Sequence, residues 1–394
     1  MRKRLYIIGC TGSVGSSVLS VCRSFPEHFE IAALAANSSV ERMIALAEEF
    51  SCSLLVFSDH AAAGRAKEIV SQSTGKVGRV KVLSGEEGLR EPASSQDIDH
   101  VVVASSGIGA VGALMQALRS GKEVSLANKE SIVAGGPWIM PLAKKEGQLR
   151  PLDSEHNAIW QCLSGESASA VKKIYLTASG GPFLNFSREE LDKVTPAMAV
   201  AHPVWSMGAK ISVDSASLMN KGIEILEAMY LFSLSASQVD AVVAPNPFIH
   251  GIVLFSDGSF KMCASAPDMG IPAMSALFHP ARSPRDRGNT PALEGLVLSF
   301  QAPDDVRFPC IRLARDAAHR GGAYPALLVG ADEAAVGCFL DGKIGFMDIP
   351  AVVEEVLERY SGSAPLTLEH ALDIMIEGRS IAMAACEKRR GRCF

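Results

Sequence analysis

Between Val200 and Leu226 the chain reads Val-Ala-His-Pro-Val-Trp-Ser-Met-Gly-Ala-Lys-Ile-Ser-Val-Asp-Ser-Ala-Ser-Leu-Met-Asn-Lys-Gly-Ile-Glu-Ile-Leu. This one stretch holds an imidazole (His202), an indole (Trp205), two ammonium groups (Lys210, Lys221), a hydroxyl (Ser215), an amide (Asn220) and a carboxylate (Glu224). Hydroxyl, amide and ammonium donors are what a phosphate monoester needs, and segments that carry function are crowded in this way. Trp205 and Met207 sit between a proline and a glycine, which suggests a lid over a bound substrate; an ordered surface loop with a buried Trp is the alternative.

A second group of acids lies upstream, in Leu152-Asp153-Ser-Glu155-His156-Asn157. If that segment is extended, the carboxylates at i and i+2 point to the same side. Oxygen-rich sites of this kind suit hard divalent cations such as Mg²⁺ or Mn²⁺. Two carboxylates seldom suffice, and Glu224 is the candidate third. The competing reading of Asp153 and Glu155 is a pair of acids stabilised by a helix dipole, and His156 fits a capping or core residue better than a ligand. Ser179-Gly-Gly-Pro-Phe183 closes a strand with a backbone nest suited to phosphate oxygens. No Ser-His-Asp or Cys-His pattern accompanies these residues, which leaves nucleophilic hydrolysis without support.

Near the start, Gly9-Cys-Thr-Gly12-Ser-Val-Gly15 follows a strand-like run and opens a helical one. Glycines there let the backbone approach a pyrophosphate, and the helix-start amides attract its charge; a glycine turn without a ligand is the alternative. An Asp or Glu ending the second strand would hold a ribose 2′-hydroxyl and favour NAD. The segment is instead Ala35-Ala36-Asn37-Ser38-Ser39, which favours NADP, with Arg42 a possible contributor. Asn128-Lys-Glu-Ser131 falls after a late strand, at the sheet edge where such folds bind ligands; a capped helix start is the plainer reading.

The elements that must position these groups follow from periodicity. Short apolar runs at Arg4–Ile8, Ile31–Ala35, Leu54–Phe57, His100–Ala104 and Glu123–Leu126 alternate with amphipathic stretches, which predicts a parallel sheet covered by helices over residues 1–150. Residues 151–280 mix a strand at Lys173–Ala178, a loop through 210 that includes the lid (about 180–209), a helix at 217–232, and strands at Ile252–Phe255 and Ser259–Ala264. Residues 281–308 read as a linker, and residues 309–394 as a helical domain with helices near 311–319, 325–340, 350–360 and 367–388.

At 394 residues, with 48% hydrophobic and 21% charged residues and a formal net charge of −5, the chain has room for two or three domains and no broad basic surface for nucleic acid or an anionic membrane. Nine scattered cysteines without a Cys-x-x-Cys pair point to a reducing cytoplasm. Met1-Arg-Lys-Arg4 and the run to Cys10 are reminiscent of a lipoprotein signal, but the run is too short for one.

Taken together, these motifs resemble the 1-deoxy-D-xylulose 5-phosphate reductoisomerase family. The match runs through Gly9 to Gly15, Ala127-Asn-Lys-Glu-Ser131, Asp153-Ser-Glu-His-Asn-Ala158, Ser179 to Phe183, His202 to Gly208, Lys210 to Ala216 and Met219-Asn-Lys-Gly222, with Glu224 in place. The resemblance implies an α/β protein with a Rossmann-like NADPH domain, an α+β catalytic and dimerisation domain and a C-terminal helical bundle, assembled as a V-shaped homodimer. It places NADPH along Thr11, Gly12, Ser13 and Val14, near Ala35, Ala36 and Asn37, and against Asn128, Glu130 and Gly208. It gives Asp153, Glu155 and Glu224 a divalent metal (Mg²⁺, Mn²⁺ or Co²⁺). Ser154, Glu155, Ser179, Ser215, Asn220 and Lys221 would bind a sugar phosphate with Lys129 and His202, under Trp205 and Met207; Lys129 and His202 count among the catalytic residues.

The chain departs from the family in two places. A Gly-Lys-Asn-like segment is replaced by Ala35-Ala36-Asn37, and an Asn-Ala-Ala-Asn-Glu run by Val329-Gly-Ala-Asp-Glu333. A homoserine- or semialdehyde-type dehydrogenase is the rival within the fold and would need no metal triad; a nucleotide-sensing module is the rival outside enzymes.

Overall fold

The computed structural model describes residues 2–201 and 208–390. By contact the chain divides into two compact units: residues 1–131, 139–157 and 268–290 form the first, and residues 132–138, 158–267 and 291–394 the second. The expected boundaries at 150 and 280 therefore differ from the contact units, chiefly because 268–290 returns to the first.

The amino-terminal half alternates strand and helix: β1 (Lys3–Ile8), α1 (Ser13–Ser24), β2 (Phe29–Ala36), α2 (Val40–Phe50), β3 (Leu54–Phe57), α3 (His60–Gln72), β4 (Lys81–Ser84), α4 (Gly85–Ser94), β5 (His100–Val103), α5 (Val111–Arg119), β6 (Glu123–Leu126), α6 (Lys129–Ile139), β7 (Leu149–Pro151) and α7 (Ser154–Leu163). All seven strands pair in parallel in the order β4-β3-β2-β1-β5-β6-β7. The order reverses between β1 and β5, the switch point where open parallel sheets bind ligands. The short run resembling a signal is thus the central strand, with Cys10 wholly buried behind it. The two strands of this sheet missed from sequence, β4 and β7, are its edges. Lys-Val-Leu-Ser and Leu-Arg-Pro are too short and polar to show a period, and an edge demands less apolar surface.

The chain continues with β8 (Val171–Ala178), α8 (Arg188–Leu191), α9 (Pro196–Val200), α10 (Ala209–Ala216), α11 (Met219–Leu231), β9 (Val239–Val243), β10 (Ile249–Phe255), β11 (Phe260–Ala264), α12 (Gly270–Phe278), α13 (Pro309–Arg320), α14 (Tyr324–Leu340), α15 (Asp348–Arg359) and α16 (Leu368–Arg389). In the second unit a four-stranded sheet runs β11-β10-β8-β9, with β8 and β9 parallel and β10 antiparallel to both its neighbours. The expected loop through 210 contains α8 and α9, and α10 at 209–216 is a helix not expected from sequence; the helix expected over 217–232 is α11. Leu218 takes a left-handed conformation, φ 61°, which breaks α10 from α11.

In the first unit α12 returns to cover α1. The Phe278 ring stands 5.0 Å from both Phe25 and Phe29 and 5.1 Å from His28. At the amino ends of the central strands, wholly buried His100 sets Nδ1 3.1 Å from Glu123 Oε2 and Nε2 2.8 Å from Ser125 Oγ. Lys3 and Arg150 also donate to Glu123. Burial pushes the His100 pKa down from 6.5 to about 4, outweighing the Glu123 carboxylate that raises it. For Glu123, burial acts upward, but the hydrogen bonds from His100, Arg150 and Lys3 win and hold it well below the usual carboxylate range.

The unfolded chain therefore binds a proton at His100 that the folded chain refuses between about pH 6.5 and 4. Stability should fall as pH drops through that window, by at most about 3 kcal/mol from this group. Denaturant titrations of wild type and His100→Gln at several pH values check this: the variant should show a shallower slope, and equal slopes would refute the assignment.

Candidate active site

The glycine turn is set by backbone crowding. Gly9 has φ 82°, and a Cβ there would stand 2.5 Å from the Ala104 carbonyl carbon and oxygen; one on Gly15 would stand 2.2 Å from the Gly9 oxygen. Neither position admits a side chain, so β1, the start of α1 and the segment after β5 meet backbone to backbone at the switch point. Gly12 precedes α1 with no side chain capping the first amides, an arrangement suited to an anion. Gly12 and Ser13 are exposed, and Thr11 and Val14 half-buried. Ala35 and Ala36 end β2 as buried residues, while Asn37 is exposed and accepts from Ser58 Oγ at 2.8 Å.

Asn128 is wholly buried, and its side chain is committed to the fold. Its Nδ2 donates to the Ser105 and Gly107 carbonyls at 2.6 and 2.7 Å, and its Oδ1 accepts from Ser131 N at 2.9 Å. Its amide thus shapes the loop after β5. That loop, Ala104-Ser-Ser-Gly-Ile-Gly109, is a part of the switch point missed from sequence; its signal was a second glycine-rich turn directly after an apolar run. Glu130 is half-buried in the first turn of α6, and Gly208 is exposed ahead of α10.

The acids sit differently from the extended pair expected. Asn157 N donates to the Asp153 carbonyl at 2.8 Å, so Asp153 stands at the threshold of α7 and Glu155 in its first turn. Helix capping favours acids there, which is why the local structure prevails over an extended reading. Lys129 Nζ lies 2.9 Å from Asp153 Oδ2, and Ser154 Oγ donates to Glu155 Oε2 at 2.6 Å. His156 is wholly buried, with Nδ1 3.8 Å from Asp153 Oδ1.

On α11, Glu224 is wholly buried, and both its oxygens accept from the preceding turn: Oε1 from Asn220 Nδ2 at 2.6 Å and Oε2 from Lys221 Nζ at 2.5 Å. Two residues read as phosphate donors therefore also hold a buried carboxylate, which would be costly without them. Asp153, Glu155 and Glu224 each offer an oxygen, and these oxygens lie within 4.8 Å of one another. A donor set of three carboxylates without imidazole or thiolate fits a hard divalent cation.

In the second unit Gly180 and Gly181 take φ 89° and 70°, the nest expected after Ser179, and Gly181 N meets Ser179 Oγ at 3.3 Å. A Cβ on Gly181 would stand 2.8 Å from the Ser215 carbonyl oxygen, so the nest lies against the end of α10. Lys210, in the first turn of α10, has Nζ 2.6 Å from Asp214 and 2.7 Å from Asp332 of α14. The Asp332 side chain is 0% exposed, that of Asp214 5% and that of Lys210 33%. Burial works against the ammonium, but the two carboxylates prevail and raise its pKa above the usual lysine range. Asp332 is thus an anionic partner of Lys210, which sequence alone did not assign. His202, Trp205 and Met207 lie outside the described residues.

Family models match most of the chain: one described as 1-deoxy-D-xylulose 5-phosphate reductoisomerase over residues 5–136, its C-terminal domain over 149–232, and a DXP reductoisomerase C-terminal domain over 264–381. The 1-deoxy-D-xylulose 5-phosphate reductoisomerase of Chlamydia muridarum is 42% identical over 382 residues, covering 96% of this chain and 99% of its own length. That of Chlorobaculum tepidum is 42% identical over 371 residues, covering 94% and 96%. Among solved structures, the Zymomonas mobilis enzyme in complex with NADPH superposes with a TM-score of 0.89 at 36% identity, covering 98% of this chain and 100% of that one. A DOX-P reductoisomerase in complex with NADPH, fosmidomycin and magnesium gives 0.88 at 37% identity, covering 98% of each.

Proposed function

The chain belongs to the 1-deoxy-D-xylulose 5-phosphate reductoisomerase family, and from that premise we propose that it converts 1-deoxy-D-xylulose 5-phosphate to 2-C-methyl-D-erythritol 4-phosphate with NADPH and a divalent metal. The observation that carries this reading is the convergence of the Asp153, Glu155 and Glu224 carboxylates in a chain that also builds the Gly9–Gly15 turn. When bound, the cation supplies Lewis acidity to carbonyl and hydroxyl oxygens during rearrangement of the carbon skeleton, and NADPH the hydride.

The protein's own groups bind and orient. Asp153, Glu155 and Glu224 hold the cation, with Lys129 fixing Asp153, and Asn220 and Lys221 fixing Glu224. Ser154 sets the rotation of the Glu155 carboxylate by donating to Oε2. The nest after Ser179, with Ser215, Asn220 and Lys221, supplies hydroxyl, amide and ammonium donors to the substrate's phosphate and hydroxyls. The glycine turn and the exposed amides at the start of α1 receive the pyrophosphate of NADPH. The functional division into a nucleotide domain, a catalytic and dimerisation domain, a linker and a helical domain belongs to the same reading.

The assembly is a homodimer in the cytoplasm. Supporting it, β11 is an edge strand with Phe260 55% and Met262 46% exposed, a surface that a second copy would cover. Among the described residues no helix is long and apolar enough to cross a membrane.

The test is the loss of nicotinamide absorbance with 1-deoxy-D-xylulose 5-phosphate, using NADPH or NADH, with and without Mg²⁺ or Mn²⁺, alongside sedimentation for the dimer. NADPH consumption that stops on chelation is expected. Turnover that survives a chelator would favour a metal-free dehydrogenase, and a monomer in sedimentation would remove the dimer.

A further inference from the structure

We propose that Arg42 reads the 2′-phosphate of the cofactor; the inference rests on the NADPH reading above and assigns the source of its selectivity. A 2′-phosphate needs charge-assisted donors, yet the end of β2 and the segment after it offer Ala35, Ala36, Asn37, Ser38 and Ser39, with no basic group. The structure supplies one from the next element. Arg42, in the first turn of α2, donates from Nη1 to the Thr11 carbonyl at 2.9 Å and from Nη2 to Ser16 Oγ at 2.8 Å.

These two bonds use two of the five N–H donors of a guanidinium and fix its plane. They tie the start of α2 to the glycine turn and the start of α1. In dinucleotide folds the pyrophosphate lies on that turn and the adenosine ribose by the end of the second strand, so the guanidinium stands where the 2′ substituent must pass. Access is open, since Gly12, Ser13, Asn37, Ser38, Ser39 and Arg42 are all exposed. The Ser38 and Ser39 hydroxyls add neutral donors, and Ser39 does not spend its side chain capping α2.

The experiment is a fluorescence titration of the full-length protein, without substrate, with NADPH and separately with NADH, for wild type, Arg42→Gln and Arg42→Lys. Arg42→Gln should raise the Kd for NADPH about 10- to 100-fold, the loss expected for charge-assisted bonds, while the Kd for NADH stays within about twofold, which also shows that the variant is folded. Arg42→Lys should fall between, since it keeps the charge and loses the fork. NADPH binding unchanged in Arg42→Gln would overturn the assignment, and equal weakening of both nucleotides would show that Arg42 only props the turn. A wild type that binds neither nucleotide would sink the NADPH reading itself.

Discussion

Glu155→Gln and Glu224→Gln should each lower kcat by a factor on the order of 10² to 10³ or more, the scale seen when one preorganised charge contact is removed from a transition state. Glutamine keeps the shape of either side chain but offers a neutral oxygen in place of a carboxylate, so the site loses charge without losing volume. The two variants should differ in stability. Glu224 is wholly buried and holds Lys221 at 2.5 Å, so Glu224→Gln also leaves a buried ammonium without its carboxylate; Glu155 is half-buried with Ser154 as its local partner. NADPH affinity should stay near wild type in both, because the glycine turn is built from other residues. Initial rates, calorimetric titration with Mg²⁺ and NADPH fluorescence together check this, and unaltered turnover in either variant would sink the metal assignment.

Lys210→Met should be strongly destabilising to the fold. It leaves Asp214 and Asp332, 5% and 0% exposed, facing each other without their shared cation. Removing one partner of a buried ion pair costs about 3–5 kcal/mol, and because a third of the Lys210 side chain reaches solvent the expected loss is about 3 kcal/mol. Adding Asp332→Asn should return part of it, by removing the more buried charge while keeping the side chain's shape. Denaturant titration of the single and double variants measures both. A double variant no more stable than Lys210→Met would show that the electrostatic account is wrong.

Much of this site was legible in the sequence because its chemistry is concentrated. The Gly9–Gly15 turn, the acids at 153 and 155 and the donors around Glu224 stand in short segments whose residue types have few structural uses. What sequence could not show was orientation. Asp153 and Glu155 can be read as an extended pair or as a helix start, and only the Asn157 to Asp153 hydrogen bond decides. Nothing in Ser-Leu-Met announces that Leu218 would turn left-handed and set α10, a helix not expected, apart from α11. Asn128, expected at the cofactor because it stands at a sheet's carboxyl edge, also bonds its side chain to the backbone around it, a commitment no sequence pattern shows. The pairing of Lys210 with Asp332 spans 122 positions, beyond the reach of any local pattern.

The return of α12 to α1 bears on how the protein is made. Amino-terminal domains ordinarily close first as a chain leaves the ribosome, but here Phe25 and Phe29 await Phe278, and the core of the first unit also includes Ala273, Met274, Ala276 and Leu277. Until those residues emerge, one face of α1 has no cover, and the nascent first unit must carry exposed aromatic surface while all four strands of the second unit's sheet are synthesised. Contacts of such long sequence separation slow folding, which places completion of this unit late in synthesis.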